Sequence, residues 1–238
     1  MFMPINRQIA LVTGSTQGIG LAISKILIQQ GYEVIRHGKR KLLDKNYIQA
    51  DLTNESGVKK VIRVIKKKYK YINLIVNNAS FTKYIPFSNF EKLNKNLFKK
   101  IMYINFEAPF HLNTKLLNLL KKGHKKNGNS QIINIASVAG ITGSGSNLIY
   151  ASSKGAIITL TKSLAKTVHP IKVNSISPGL IKTNFVKFPD KYYVNMKKKT
   201  PAGKTGEPKD IASAVKFLLE NEYITGQNII IDGGRILM

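Results

Sequence analysis

The sequence predicts an α/β fold built on a mostly parallel sheet, and three observations carry that prediction. Short apolar runs ending in Gly, Pro or small polar residues alternate with segments of helical spacing along the chain. The first run, 8–14, is almost wholly apolar, as suits a buried parallel strand. No internal repeat, low-complexity linker or composition break divides the 238 residues, so residues 1–238 read as one domain.

The elements follow in order. "QIALVTG" (8–14) is an apolar run ending in Gly, a buried strand. "IGLAISKILIQQG" (19–31) has helical spacing and closes on Gly31, a good residue just past a helix end. "YEVIRHG" (32–38) is a second strand, completing a βαβ opening. "YIQADLT" (47–53) reads as a short strand and 54–69 as a basic amphipathic helix. "INLIVNNAS" (72–80) is a strand running into a polar turn, and 89–121 is mostly helical with an interruption near Pro109. "SQIINIASVAG" (130–140) is a strand ending in small residues, and "LIYASSKGAIITLTKSLAKTV" (148–168) a long helix. "IKVNSISPG" (171–179) is a strand stopped by Pro-Gly. Residues 180–206 lack periodicity and read as an excursion. "PKDIASAVKFLLE" (208–220) is a helix with Glu207 and Pro208 near its start, and "QNIIIDGG" (227–234) is the last strand.

Composition narrows the function. With 43% hydrophobic and 21% charged residues the chain is globular. It has no Cys, which removes disulfides, thiol nucleophiles and thiolate metal sites, and its four His are scattered without ligand spacing, so no metal is expected. The start, "MFMPINRQ", lacks the apolar core of a signal peptide, and no apolar run approaches the ~18 residues of a membrane span. A cytoplasmic protein is expected. The net charge of +26 comes from lysines on separate segments, 59–70, 92–100, 121–126 and 196–199. They read as solvated helix faces, ends and a loop, so neither nucleic acid nor membrane is expected as a partner.

In an open parallel sheet, ligands bind beyond the carboxyl ends of the strands. Gly14, Asn77, Ser137, Pro178 and Gly179 stand at such ends, on one rim. "TGSTQGIG" (13–20) joins the first strand to the first helix, and its glycines let phosphate approach a helix N-terminus. Its G-x-x-x-G-x-G spacing departs from G-x-G-x-x-G, and alone it describes a tight turn equally well. Tyr150 and Lys154 are four apart on a helix and share a face, but Tyr193 and Lys197 have the same spacing.

Taken together, these motifs resemble the classical short-chain dehydrogenase/reductase family, in order and over almost the whole chain. "TGSTQGIG" matches its cofactor turn, and "NNAS" (77–80) its NNAG, with Ser80 in place of Gly. "SPGLIKT" (177–183), "GEPKDIA" (206–212) and "YITGQNIIIDGG" (223–234) match later hallmarks. The resemblance implies a single doubly wound Rossmann-type domain, a seven-stranded parallel sheet with helices on both faces, and a substrate loop at about 184–206. It implies a catalytic tetrad of Asn105, Ser137, Tyr150 and Lys154. It also implies cofactor contacts from Gly14, Ser15, Gly18, Ile19, Gly20, Asp51, Leu52, Asn78, Ala79, Pro178, Gly179, Ile181 and Thr183, with Tyr150 and Lys154 again. Tyr150 follows Ser137 by 13 residues, whereas Tyr193 has Leu180 at that offset, which separates the two pairs.

The chemistry agrees. Adding hydride to a ketone builds negative charge on its oxygen, where a donor must place a proton. A cation beside a tyrosine lowers its pKa from ~10, a role open to Lys154. Ser137 would hydrogen-bond the carbonyl oxygen, and by resemblance Asn105 holds a helix distortion and a water relaying protons toward Lys154. The second strand ends in "VIRHGKRK" (34–41) without a carboxylate, so Lys39 and Arg40 point to NADP(H) over NAD(H), with Ser15 adding a bond.

The expected activity is an NADP(H)-dependent oxidoreductase interconverting a carbonyl and a secondary alcohol. One alternative is a 3-oxoacyl-acyl-carrier-protein reductase, whose acidic carrier would meet Lys121, Lys122, Lys125 and Lys126. Another is a non-catalytic cofactor-binding regulator. The resemblance further implies a homodimer or homotetramer, joined through 89–121 with 148–168 and through the last helix and strand.

Overall fold

The computed structural model describes residues 7–186 and 190–238, with side chains from 193 onward in the second stretch. Seven parallel strands form one sheet: β1 (Ile9–Val12), β2 (Glu33–Gly38), β3 (Tyr47–Gln49), β4 (Leu74–Asn77), β5 (Gln131–Ile135), β6 (Lys172–Pro178) and β7 (Asn228–Ile231). Their spatial order is β3-β2-β1-β4-β5-β6-β7. The chain therefore grows one way from β1 to β3 and the other way from β4 to β7, which opens a crevice at the carboxyl ends of β1 and β4.

Strand periodicity divides the core between two faces. Ala10, Val12, Leu74, Val76, Ile133 and Ile176 meet α1 (Gly18–Gln29) and α9 (Pro208–Glu220) through Ile23, Leu27, Ile211 and Val215. Leu11, Ile35, Ile75, Ile132 and Val173 point the opposite way. They meet α2 (Glu55–Lys68), α4 (Ala108–Lys115) and α7 (Leu148–Thr167) through Val61, Ile65, Leu112 and Leu164. The sheet is thus covered on both faces, as its near-continuous apolar strands require. In α2, Asn54 caps the start by accepting from Gly57 N, and Lys66, Lys67 and Lys68 complement the dipole at the end.

Three segments differ from the sequence reading. The break expected near Pro109 lies upstream: α3 (Lys95–Met102) passes into a π turn, Tyr103–Glu107, before α4. Pro109 stands at the start of α4, directly after the π turn, where its missing N–H coincides with the break in the helical ladder. A further helix, α5 (Leu117–Asn127), follows and ends on left-handed Gly128. The excursion after β6 is not wholly irregular, because α8 spans Asp190–Lys198. A short helix, α6 (Ala139–Thr142), had no periodic signal. Among the described residues no helix is long and apolar enough to cross a membrane.

Candidate active site

The β1–α1 turn is shaped by close approach. Gly14 has φ +63, and a Cβ on Gly20 would lie 2.3 Å from Gly14 O and 2.5 Å from Asn78 Nδ2. Asn78 Nδ2 donates to the carbonyls of Thr13 (2.9 Å) and Gly14 (3.0 Å), tying the turn to the end of β4. No side chain caps α1, and no acidic residue sits in its first turn. Its N–H groups and dipole are therefore left to an anionic ligand, and Gly18 and Ile19 line the cleft there. These features fit the pyrophosphate of a dinucleotide.

The cleft holds about 470 Å³, the scale of a cofactor or substrate site. It gathers Gly14, Gly18, Ile19, Asp51, Leu52, Asn78, Ala79, Pro178, Gly179, Ile181 and Thr183 with Ser137, Tyr150 and Lys154. Gly20 supports the turn from behind. Ser15 is a correction: it is fully buried, and its Oγ donates to His37 O (3.2 Å) and accepts from His37 N (2.9 Å). That hydroxyl is spent on the fold and does not face a ligand. Arg40 also departs from expectation. Its side chain does not line the cleft, and its carbonyl accepts from Tyr47 Oη. Lys39 does line the cleft, but pairs with Asp51 at 2.7 Å. Burial works to raise the Asp51 pKa, but hydrogen bonds from Lys39 and Thr53 outweigh it and hold the carboxyl below its ordinary range. At Gly38, which ends β2, any Cβ would come within 2.7 Å of Thr16 Cγ2 and Tyr47 Oη. A carboxylate there would need both to move.

His37 was not expected in the site. It is buried, lines the cleft, accepts from Gly14 N at Nδ1 (3.2 Å) and contacts Ala50 O through Nε2 (3.1 Å). Nδ1 is thus the acceptor and Nε2 the donor. Burial lowers its pKa to about 4, so the ring is neutral and clasps the turn to the segment after β3. The available signal was a histidine one residue before the end of β2.

At the other end of the cleft, Ser137 follows β5, and α7 brings Tyr150 and Lys154 to the same rim. Asn147 caps α7 by accepting from Tyr150 N (2.8 Å), and its Nδ2 reaches Thr82 Oγ1 and Lys83 O. Burial raises the Tyr150 pKa to about 12, and a hydrogen bond with Ser137 works against that rise. Lys154 is buried, donates from Nζ to Ile135 O (2.8 Å) and lies 5.7 Å from the Tyr150 ring centre. Burial lowers its pKa to about 7. The expected lowering of Tyr150 by Lys154 is therefore not found. Lys154 is buried, Tyr150 is half-buried at the cleft wall, and the amine is directed at a main-chain carbonyl.

Asn105 sits in the π turn, where the i→i+4 ladder is interrupted, in line with the expected helix distortion. Its Oδ1 accepts from Phe81 N (2.9 Å), and its Nδ2 donates to Phe81 O (3.1 Å) and Ser153 Oγ (3.0 Å). A second amide ladder runs below it. Asn77 Nδ2 donates to Asn113 Oδ1 (2.7 Å) and Asn134 Oδ1 (2.8 Å), and Asn134 Nδ2 to Thr161 Oγ1 (2.9 Å). All four residues are buried, so the ladder bonds α4, β4, β5 and α7 to one another beneath the site.

Phe185, Val186 and Tyr193 line the cleft from the segment around α8, and the Phe185 ring lies 6.3 Å from that of Tyr150. Phe188 and the side chain of Tyr192 lie outside the described residues. Tyr193 faces the cleft on α8, not in irregular chain, while Lys197 is exposed. Lys121, Lys122, Lys125 and Lys126 occupy the opposite end of the molecule. Their helix packs on the residues before β4, with Asn73 Nδ2 donating to Gly123 O (3.2 Å). That is the amino end of the strands, far from the rim that carries Ser137.

This fold and cleft define a Rossmann-type nicotinamide-dependent oxidoreductase. A family model described as enoyl-(acyl carrier protein) reductase matches residues 14–235. The 3-oxoacyl-[acyl-carrier-protein] reductase of Vibrio cholerae is 31% identical over 251 residues, covering 99% of this chain and 100% of its own. An NAD-dependent glycerol dehydrogenase of Listeria innocua is 31% identical, with 97% and 94% covered. A short-chain dehydrogenase of Leptospira borgpetersenii, solved with bound NAD+, superposes with a TM-score of 0.84 at 29% identity, covering 99% and 96%. The chain belongs to the short-chain dehydrogenase/reductase family.

Proposed function

We propose that the protein is an NADP(H)-dependent oxidoreductase that interconverts a carbonyl and a secondary alcohol, with Tyr150 as the acid. The observation that carries this reading is the convergence of Ser137, Tyr150 and Lys154 on one wall of the dinucleotide cleft. A bound nicotinamide would supply or accept the hydride. Tyr150, with a pKa near 12, holds its proton through the neutral range, the state needed to protonate a developing alkoxide. Ser137 orients the carbonyl oxygen from the same side. Lys154, whose amine burial brings to a pKa of about 7, stands beside the phenol able to hold or release a proton near neutral pH. On family resemblance we place this activity in the cytoplasm, in a homodimer or homotetramer.

The preference for NADP(H) rests on Lys39 in the cleft and on Gly38, where a ribose-binding carboxylate at the end of β2 would have to displace Thr16 and Tyr47. Lys39→Ala should reduce the ratio of NADPH to NADH affinity by roughly tenfold or more, the scale of one charge-assisted bond to phosphate. Arg40→Ala should have a smaller effect, because its side chain is outside the cleft. Fluorescence titration with both cofactors measures the ratio. An unchanged ratio in both variants would assign Lys39 and Arg40 to solvent and remove the case for NADP(H).

A second reading, reduction of a 3-oxoacyl group on an acyl carrier, is favoured by the description of the matching family model and by the Vibrio cholerae relative. The α5 lysines cannot greet the carrier at the cleft mouth. Lys100, which lines the cleft and stacks 4.2 Å over Phe81, is better placed. Comparing kcat/KM for carrier thioesters with that for small ketones separates the two readings.

The segment around α8 is proposed as a lid. Phe185 and Tyr193 line the cleft while Val194 and Lys197 face solvent, so closure would remove water from around Tyr150. Amide exchange across 193–198 should be faster than in β6 without ligand, and should slow when cofactor and substrate are present together. Strong protection that ligands leave unchanged would make this segment a rigid wall.

A further inference from the structure

The family motif NNAG reads Asn77-Asn78-Ala79-Ser80 in this chain, and the activity proposed above makes no use of that serine. A glycine is demanded where the backbone is left-handed or a Cβ has no room. Neither condition applies at Ser80. Among the described residues no non-glycine has a positive φ, and the Ser80 side chain is accommodated on the cleft wall. Its Oγ donates to Asn105 Oδ1 at 2.8 Å.

That bond completes a set. Oδ1 already accepts from Phe81 N, and a main-chain N–H can only donate, so the amide orientation is fixed. Nδ2 donates to Phe81 O and to Ser153 Oγ, and Ser153 Oγ donates onward to Tyr150 O at 2.7 Å. With Ser80 the amide uses both donors and two acceptor sites. Three pieces of chain are joined by this one side chain: the loop after β4, the π turn, and the first turns of α7.

We propose that Ser80 is a positioning residue: its hydroxyl completes the clamp on Asn105 and so fixes the π turn against the helix that carries Tyr150 and Lys154. A π turn leaves main-chain carbonyls without their usual helical partners. Asn105 ties this turn, through Ser153, to the helix that carries Lys154. The inference rests on the reading of Tyr150 and Lys154 as the reacting pair.

The test compares Ser80→Ala, Ser80→Gly and Ser80→Thr, with Tyr150→Phe assayed alongside. Ser80→Ala and Ser80→Gly should lower kcat roughly three- to tenfold, the loss expected from one hydrogen bond, and move the pH profile of kcat. KM for NADPH should stay within about twofold, since no bond of the cofactor turn is touched. Ser80→Thr keeps the hydroxyl and should restore both kcat and the profile. An unchanged kcat and profile in Ser80→Ala, with Tyr150→Phe inactive, would overturn the role of Ser80 alone. So would a drop in thermal midpoint with full activity per folded molecule. A Tyr150→Phe enzyme that keeps its activity would overturn the reading of the reacting pair, and the Ser80 proposal with it.

Discussion

Tyr150→Phe should lower turnover by about two to four orders of magnitude, the usual contribution of a positioned general acid, while NADPH binding stays close to wild type. The change removes one oxygen from a half-buried ring and little volume. The Phe185 ring beside it and the Asn147 cap beneath it do not depend on the hydroxyl. The loss should therefore appear in kcat, with the dissociation constant of NADPH almost unaffected. A wild-type kcat in this variant would end the assignment of Tyr150 as the acid and leave Ser137 and Lys154 without a role.

Lys154→Met should be the other variant of large effect, in activity and in the pH dependence of stability. It removes the only titratable amine beside Tyr150 among the cleft residues and frees the Ile135 carbonyl, so turnover should fall on the order of a hundredfold. The stability effect has a definite sign. The amine titrates near 7 in the folded chain against an ordinary value of 10.5. Between those values the unfolded chain holds a proton that the folded chain lacks, so stability rises with pH there, by up to about 1.4 kcal/mol per unit. It is lost as pH falls toward 7, and below that both states are protonated and the slope ends. Urea denaturation at several pH values across this window should show a flatter dependence for Lys154→Met than for wild type. Equal slopes would mean that the amine is not desolvated.

Much of this was legible in the sequence, for identifiable reasons. Most strands were visible because they carry apolar runs closed by Gly, Pro or small polar residues. Asn105, Ser137, Tyr150 and Lys154 were placed by resemblance to the family, and the last three line one cleft. What was hidden depends on partners distant in sequence. His37 meets Gly14 and Ala50, and Asn77 meets Asn113 and Asn134, contacts that no local pattern encodes. Ser15 was misread for the same reason, since its hydroxyl bonds to β2. Burial, which raises the Tyr150 pKa, cannot be seen in the spacing of Tyr150 and Lys154. In α8, Tyr193 faces the cleft among exposed lysines, too sparse an apolar face to register as a helix.

The central claim is that this cleft turns over, reducing a carbonyl at the expense of NADPH. The most direct measurement follows NADPH absorbance with wild-type enzyme across small ketones and 3-oxoacyl thioesters, with chromatographic detection of product. Cofactor consumption with at least one of them is expected, matched mole for mole by a secondary alcohol. Tight NADPH binding without consumption across the whole panel would contradict it, and would make the protein a cofactor-binding regulator on an enzyme fold.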